Sequence, residues 1–324
     1  MICLSPLKRG DLVDVIAPGS ACTLKEVSAA LGVLEKWGLR ARLPKDSIKT
    51  FLYHSHSDER RLELLTNALQ AEDSKAIWCL RGGYGSNRLM QDLQKMKKPK
   101  TAKIFVGLSD VTSLHLFLNQ VWQWPTLHGP VLVRLGSGDL GLRGKKEIQS
   151  LVFGKMQELE FSGVKPLNAE ALQVKSRGGA LKAEFLGGNL MTLQSAIGTK
   201  VALQGKQHFV FIEEVAERGY RIDRMLYHLF DAGCFQGARG IFLGEFLGGD
   251  EPLKSDASGG ARGSRSTKSY VKKALQRFIK DIGIPVFGYL PVGHGFPQRT
   301  LPFGTAAVWK DSLLKVESGI GALK

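Results

Sequence analysis

An α/β chain of two domains, the first built on a parallel, doubly wound sheet, is what this sequence predicts. Three observations carry the prediction. The chain has 324 residues, more than one ordinary hydrophobic core organises. In its first half, strand-like apolar runs alternate with segments of helical period, as in a sheet whose crossovers are helices. From about residue 155 the texture changes to Gly- and Pro-bearing stretches without sustained helical period. The expected organisation is an α/β domain over 1–160, a linker with short strands over 161–180, and a second domain over 181–324.

The elements follow in order. "LVDVIAP" (12–18) reads as a strand ending in Pro and Gly. "TLKE" (23–26) is a capping box that opens a helix with Val27, Leu31, Leu34 and Trp37 on one face. "GLRARLP" is a second strand, and "SDERRLELLTNALQ" (57–70) a helix burying Leu62, Leu65 and Leu69. "KAIWCLRGG" and "KIFVGLSD" are a third and a fourth strand, the latter followed by its helix. Ligands of such sheets bind beyond the carboxyl ends of the strands, where the Gly-rich turn and Ser109 both fall. Later, "GGNLMTLQSAIG" (187–198) reads as a short helix closed by Gly198, and "QHFVFIEEV" as a strand. "YRIDRMLYHLFDAG" (220–233) reads as a helix with Ile222, Met225, Leu229 and Phe230 inward. The strand "ARGIFLGEF", a polar loop at 249–268, the helix "YVKKALQRFIKDI" and strands around "PVFGYLPVGHG" and "TLPFGTAAVWK" complete the chain.

Composition narrows the class. Hydrophobic residues make up 43% and charged residues 23%, the balance of a soluble globular protein. No run approaches the ~18 uninterrupted apolar residues of a spanning helix. The opening "MICLSPLKRGDLVDVIAPGS" has no basic n-region or long apolar h-region, so a cytoplasmic protein is expected. The four cysteines (Cys3, Cys22, Cys79, Cys234) are scattered without a CxxC pair, which argues against a disulfide framework or a zinc site, and no metal is expected. Net charge is +15, with dense runs at 93–103 and 261–273. Neither run is interleaved with aromatics or joined to a nucleic-acid-binding motif. The expectation is a basic surface that favours acidic small substrates, with no nucleic-acid partner and no cofactor.

Three places hold residues suited to chemistry. Gly107-Leu108-Ser109-Asp110 puts a hydroxyl where a strand turns into a helix. Such a serine is either an N-cap or a nucleophile raised on a sharp turn, with the Asp110 N–H at the helix start as oxyanion donor. It half-matches the GxSxG elbow, whose trailing glycine is missing. "LRGGYGSNR" (80–88) is a glycine-rich turn after a strand. It is a tight turn, a phosphate cradle without the P-loop Lys-Ser/Thr, or the source of a second oxyanion donor. In "YLPVGHGFPQRTLPFG" (289–304), His294 lies between two glycines after an apolar strand, a setting that suits a general base. His54 and His56 lie in a polar turn that nothing completes as a metal set. His115, His128, His208 and His228 read as structural or solvated. A base of this kind needs an orienting carboxylate, and "FVFIEEV" supplies Glu213 and Glu214. Alternation along a strand lets only one of them face the cleft.

With Ser, Glu and His in that order, each at a strand end, the chain resembles the LD-carboxypeptidases, a family of serine peptidases. "VIAPGS", "RGGYGSNRL", "VGLSDVTSLH", "TLHGP", "LGGNLMTL", "FIEEVAERGYRIDRML" and "LPVGHG" stand in the family's order and spacing, nearly end to end. The resemblance implies Ser109 as nucleophile, His294 as base and Glu213, over Glu214, as orienting acid. It also implies backbone N–H groups of Gly83 and Asp110 as the oxyanion hole. It implies a flavodoxin-like first domain, a mainly-β second domain with helices, a site between them, and often a homodimer. Leu108, Glu214 and Gly219 stand where the family usually has an aromatic, Asp and Pro. The implied substrate is a cell-wall (murein) tetrapeptide that loses its terminal D-Ala, with Arg81 and Arg299 as candidates for binding its carboxylates. Two other readings stand beside this one: a self-immunity peptidase of the same family acting on a peptide–nucleotide antibiotic, and a non-catalytic nucleotide-binding module.

Overall fold

The structure is a computed structural model and describes residues 2–249 and 269–322. Five strands form the parallel part of the first sheet: β1 (Leu12–Ile16), β2 (Arg40–Arg42), β3 (Ser74–Cys79), β4 (Ile104–Gly107) and β5 (Thr126–His128). The second half contributes β6 (Glu158–Ser162), β7 (Lys165–Pro166), β8 (Leu181–Asn189), β9 (Phe209–Val215), β10 (Gly240–Leu247), β11 (Val286–Gly288), β12 (Leu301–Phe303), β13 (Ala306–Lys310) and β14 (Leu313–Glu317).

The first sheet runs β12-β5-β4-β3-β1-β2. Strands β1 to β5 are parallel, in the flavodoxin-like order. The chain leaves β1 toward one edge and returns through β3 toward the other, so a crevice opens beyond the carboxyl ends of these two strands. "APGS" and the glycine-rich turn lie there. β12 comes from the far end of the sequence and pairs antiparallel with β5, stitching the C-terminal segment into the first sheet.

The second sheet runs β6-β14-β13-β8-β9-β10-β11-β7. The strands β8 to β11 are parallel, and antiparallel strands flank them. β6, β7 and the helix Ala169–Ser176 occupy most of the stretch that reads as a linker. One apolar cluster runs through both sheets, from Trp78 and Leu127 to Phe209, Phe211, Phe242 and Trp309. Each fully buried side chain of this size contributes roughly 1.5–3 kcal/mol, so the lobes share a core.

Local rules explain most elements. Thr23 caps the helix Leu24–Lys36 in a complete capping box with Glu26. The helix Gly219–Asp231 buries Ile222, Met225, Leu226 and Leu229. Phe230, expected inward, is 43% exposed, and Leu226 takes the inward place. In the helix Asp58–Gln70 the fully buried partner of Leu65 and Leu69 is Arg61, with Leu62 only partly covered. The short helix of the "GGNLMTL" segment starts at Leu190 with Asn189 as its cap, and the two glycines belong to β8. β5 is a further correction: His128, expected in a loop, is the last residue of a three-residue strand. Prolines on both sides and a run of only three residues conceal it. The polar loop at 249–268 lies, but for Gly249, outside the described residues.

Candidate active site

The elbow is assembled from its own sequence. β4 buries Ile104 to Gly107, Leu108 is extended, and Ser109 adopts φ +65° before a short turn leads into the helix Thr112–Gln120. Left-handed backbone at a serine is uncommon and costs on the order of 1–2 kcal/mol. The capping explanation for Ser109 does not hold: the cap positions at the helix start are Leu108 and Val111, and Ser109 already lies inside the short turn. The side chain instead opens on a cavity of about 220 Å3, lined also by Gly83, Tyr84, Asp110, Asn189, Met191 and Glu214.

The glycine-rich turn meets this elbow at close range. A Cβ on Gly82 would lie 2.9 Å from the Leu108 carbonyl oxygen, and one on Gly83, at φ +89°, 2.1 Å from Ser20 Oγ. The Asp110 carboxylate ties the two together by accepting from the Gly85 N–H at 3.1 Å and the Ser86 N–H at 2.8 Å. Arg61 holds the turn from behind, its guanidinium donating to the carbonyls of Pro18, His56 and Gly85 and pairing with Asp58. The Gly83 N–H has no protein acceptor among the described residues. The Asp110 N–H lies in the first helical turn, where amides lack intrahelical partners. Both residues line the cavity with Ser109.

The second lobe brings a carboxylate–imidazole pair. Glu213 is wholly buried on β9, and its Oε2 accepts from His294 Nδ1 at 2.7 Å. Burial pulls the imidazole pKa down, but the hydrogen bond and charge of Glu213 outweigh it, leaving the pKa above its ordinary value. With Nδ1 committed to the carboxylate, Nε2 is the nitrogen left for a substrate or nucleophile. Glu214 points the other way, accepting from Asn189 Nδ2, the Met191 N–H and the Val215 N–H, each at 2.8 Å. Burial pushes its pKa up to about 7.

The two halves approach along β8. Asn189 is in register with Glu213 on β9, and its N–H donates to Thr112 Oγ1, three residues beyond Ser109. His128, beside Gly107 across the first sheet, feels the charge of His294. Ser109 and His294 are not hydrogen-bonded to each other in this structure.

The two arginines part company. Arg81 stands at the glycine-rich turn, half exposed, with a 3.4 Å contact to Glu26. Arg299 is withdrawn from any substrate: it is 7% exposed, pairs with Glu147 at 2.7 Å, donates to the Glu160 carbonyl and stacks 4.0 Å from the Phe161 ring centroid. With Nε and Nη1 committed to partners in the interior, Arg299 is corrected from a substrate contact to an internal tie. His54 is buried between Tyr53 and Tyr84. His115 is fixed by Thr126 and the Gly107 carbonyl. Among the described residues no group of three or more His, Cys, Asp and Glu side chains is placed to hold a metal ion. No helix among them is long and apolar enough to cross a membrane.

Comparison with known proteins now bears on this two-lobed site. The LD-carboxypeptidase N-terminal domain model matches residues 13–129, and the LD-carboxypeptidase C-terminal domain model matches residues 182–308. The chain is 31% identical over 323 residues to the "Probable murein peptide carboxypeptidase" of Bacillus subtilis (strain 168), covering 98% of this chain and 96% of that one. It is 28% identical over 308 residues to the murein tetrapeptide carboxypeptidase of Pseudomonas aeruginosa, with 94% of each covered. The crystal structure of muramoyltetrapeptide carboxypeptidase from Oxalobacter formigenes superposes with a TM-score of 0.75 at 26% identity, over 96% of this chain and 100% of that one. The microcin C7 self-immunity protein MccF shares the fold, with a TM-score of 0.78 at 18% identity and 98% of each chain covered. The chain belongs to the LD-carboxypeptidase family.

Proposed function

We propose that this protein is a metal-independent serine peptidase that removes the terminal D-alanine from murein tetrapeptides. The observation that carries the reading is the buried Glu213–His294 hydrogen bond of 2.7 Å, in a chain that also places Ser109 on a strained elbow at a cavity. A hydroxyl is a weak nucleophile without a base, and His294 Nε2 is the base at hand. As Ser109 Oγ attacks the carbonyl between the L-centre and the D-residue, Nε2 takes its proton. Glu213 holds the tautomer and stabilises the imidazolium. The tetrahedral oxyanion draws on the N–H groups of Gly83 and Asp110, each worth ~100–1000-fold in rate. Collapse breaks the peptide bond, and the imidazolium passes its proton to the departing D-Ala amine. Water activated by the regenerated His294 then hydrolyses the ester and frees the tripeptide and Ser109.

The names of the murein peptide carboxypeptidases support the substrate class. Arg81, at the rim, is the candidate to bind a substrate carboxylate. Cytoplasmic action as a homodimer, on soluble peptides rather than nucleic acid, belongs to the same reading. The test compares release of the terminal residue from tetrapeptides ending in an L,D or a D,D bond, with EDTA present, by the wild type and Ser109→Ala. Expected are cleavage of the L,D bond alone, indifference to EDTA, and a loss of about 10⁴-fold or more in the variant. Equal cleavage of both stereoisomers, or loss of activity with EDTA, overturns the reading. Cleavage of an aminoacyl sulfamoyl adenosine in place of either peptide would move the assignment to the self-immunity branch.

A further inference from the structure

The loop that carries His294 is gripped from two sides, and one grip comes from the opposite lobe. Arg134, on the short helix Leu132–Ser137 that follows β5, donates from Nη1 to the His294 carbonyl at 2.9 Å and from Nη2 to the Gly295 carbonyl at 3.2 Å. From the second lobe, Glu245 on β10 accepts the Gly295 N–H at 2.6 Å. The fit is close: a Cβ on Gly295 would lie 2.0 Å from Glu245 Oε1.

The Arg134 arrangement is expensive as mere glue. Its guanidinium is half-buried, and burial pulls its pKa down. Yet among the described residues no carboxylate lies within ion-pairing distance of it. Charges withdrawn from water are ordinarily paired. Here the cation is spent on two peptide carbonyls, one of which belongs to the histidine itself. Ser109 and His294 stand on different lobes, so something must set their register, and Arg134 is the side chain of the serine-bearing lobe that holds the backbone of His294.

We propose that Arg134 is a positioning residue, fixing the His294 imidazole relative to Ser109 across the lobe boundary. The inference rests on the function proposed above for its link to catalysis, and on hydrogen-bond geometry for the clamp itself. It carries an electrostatic signature. His294 bonds Glu213 and feels the charges of Glu214, its neighbour on β9, of Glu245 from β10, of Arg134 from the first lobe and of His128 from β5. Among these, the carboxylates favour the imidazolium and the Arg134 cation opposes it. Removing that cation therefore raises the His294 pKa and moves the acid limb of kcat/KM to higher pH.

The experiment uses the full chain with Arg134→Met and Arg134→Lys. For Arg134→Met we expect roughly 10- to 100-fold lower kcat, the scale of a displaced catalytic group, with KM little changed. Arg134→Lys, which keeps the charge and a donor, should recover most of the rate, and added guanidinium should partly rescue Arg134→Met. In parallel, the His294 imidazole is titrated by NMR, with its signal assigned by loss in His294→Gln. An upward-shifted imidazole in Arg134→Met supports the clamp even where no tetrapeptide is cleaved, an outcome that would count against the proposed substrate and not against Arg134. An unmoved imidazole pKa, with kcat unchanged or falling only in step with the folded fraction, overturns the inference and makes Arg134 a structural tie.

Discussion

The Ser109 elbow and the His294 loop are built by opposite means. The elbow draws its geometry from a contiguous run of sequence: four buried strand residues, an extended leucine, a left-handed serine and a helix. A close neighbour, the glycine-rich turn, follows the adjacent strand of the same sheet. The loop has no regular structure of its own. It takes its shape from Glu213, Glu245 and Arg134, which are separated from it by 81, 50 and 160 positions in sequence. A strained element can be held locally when flanking secondary structure over-determines it. An irregular loop must be held by tertiary hydrogen bonds. The proposed nucleophile is therefore held locally, and the proposed base is the part that distant residues can tune.

The sharpest way to break this contrast is to cut the loop's strongest tie. Glu213→Gln keeps the shape but replaces a charge-assisted acceptor with an amide that can present the wrong group to Nδ1. The expected loss is about 10⁴-fold in kcat, the scale seen when the orienting acid of such a triad is made an amide. Thermal stability should change far less, because Glu213 is one tie among several. Measuring kcat alongside Tm checks this. A variant within tenfold of wild-type rate would remove Glu213 from the mechanism.

On the elbow side, the counterpart is Gly83→Ala. The methyl would have to displace Ser20 and sit in left-handed backbone, costing on the order of 1–2 kcal/mol. The Ser20–Tyr84 bond that shapes the turn would go with it. If the Gly83 N–H is the proposed oxyanion donor, it would lose its aim, for ~100-fold lower kcat. Steady-state kinetics beside urea unfolding separates the two effects. Lost stability with an unchanged rate would leave Gly83 as a turn residue only.

What could be read beforehand follows the same divide. The first sheet was legible because its signals are local: the Thr23 capping box, the apolar runs of β1, β3 and β4, and the glycine turn. β5 escaped because three residues between prolines carry no period. The ordering of Ser109, Glu213 and His294 along the chain was visible, but the Glu213–His294 distance is a tertiary fact. Arg61, Arg134 and Glu245 were invisible for a single reason. Lone charged residues read as solvated, and only the fold shows that their partners are backbone carbonyls and amides from other segments. Arg299 misled in the other direction: five residues after His294 in sequence, it turns inward to Glu147.

The smallest effect concerns Glu214, the acid that lies next to Glu213 in sequence and faces the serine cavity. Its folded-state pKa of about 7 stands above the 4.5 of an ordinary glutamate. The folded protein thus holds this proton more tightly than the unfolded chain does. The associated stability is fully present below pH 4.5 and is lost as pH rises through 7. Glu214→Gln cannot titrate, so whatever constant cost it carries, its stability relative to wild type should improve steadily across that window. Urea unfolding of both proteins at pH 4.5, 6 and 8 measures the difference. A gap that stays level with pH would mean that Glu214 is charged throughout, its three N–H donors outweighing its burial. The cavity beside Ser109 would then carry a fixed negative charge that any anionic substrate must meet.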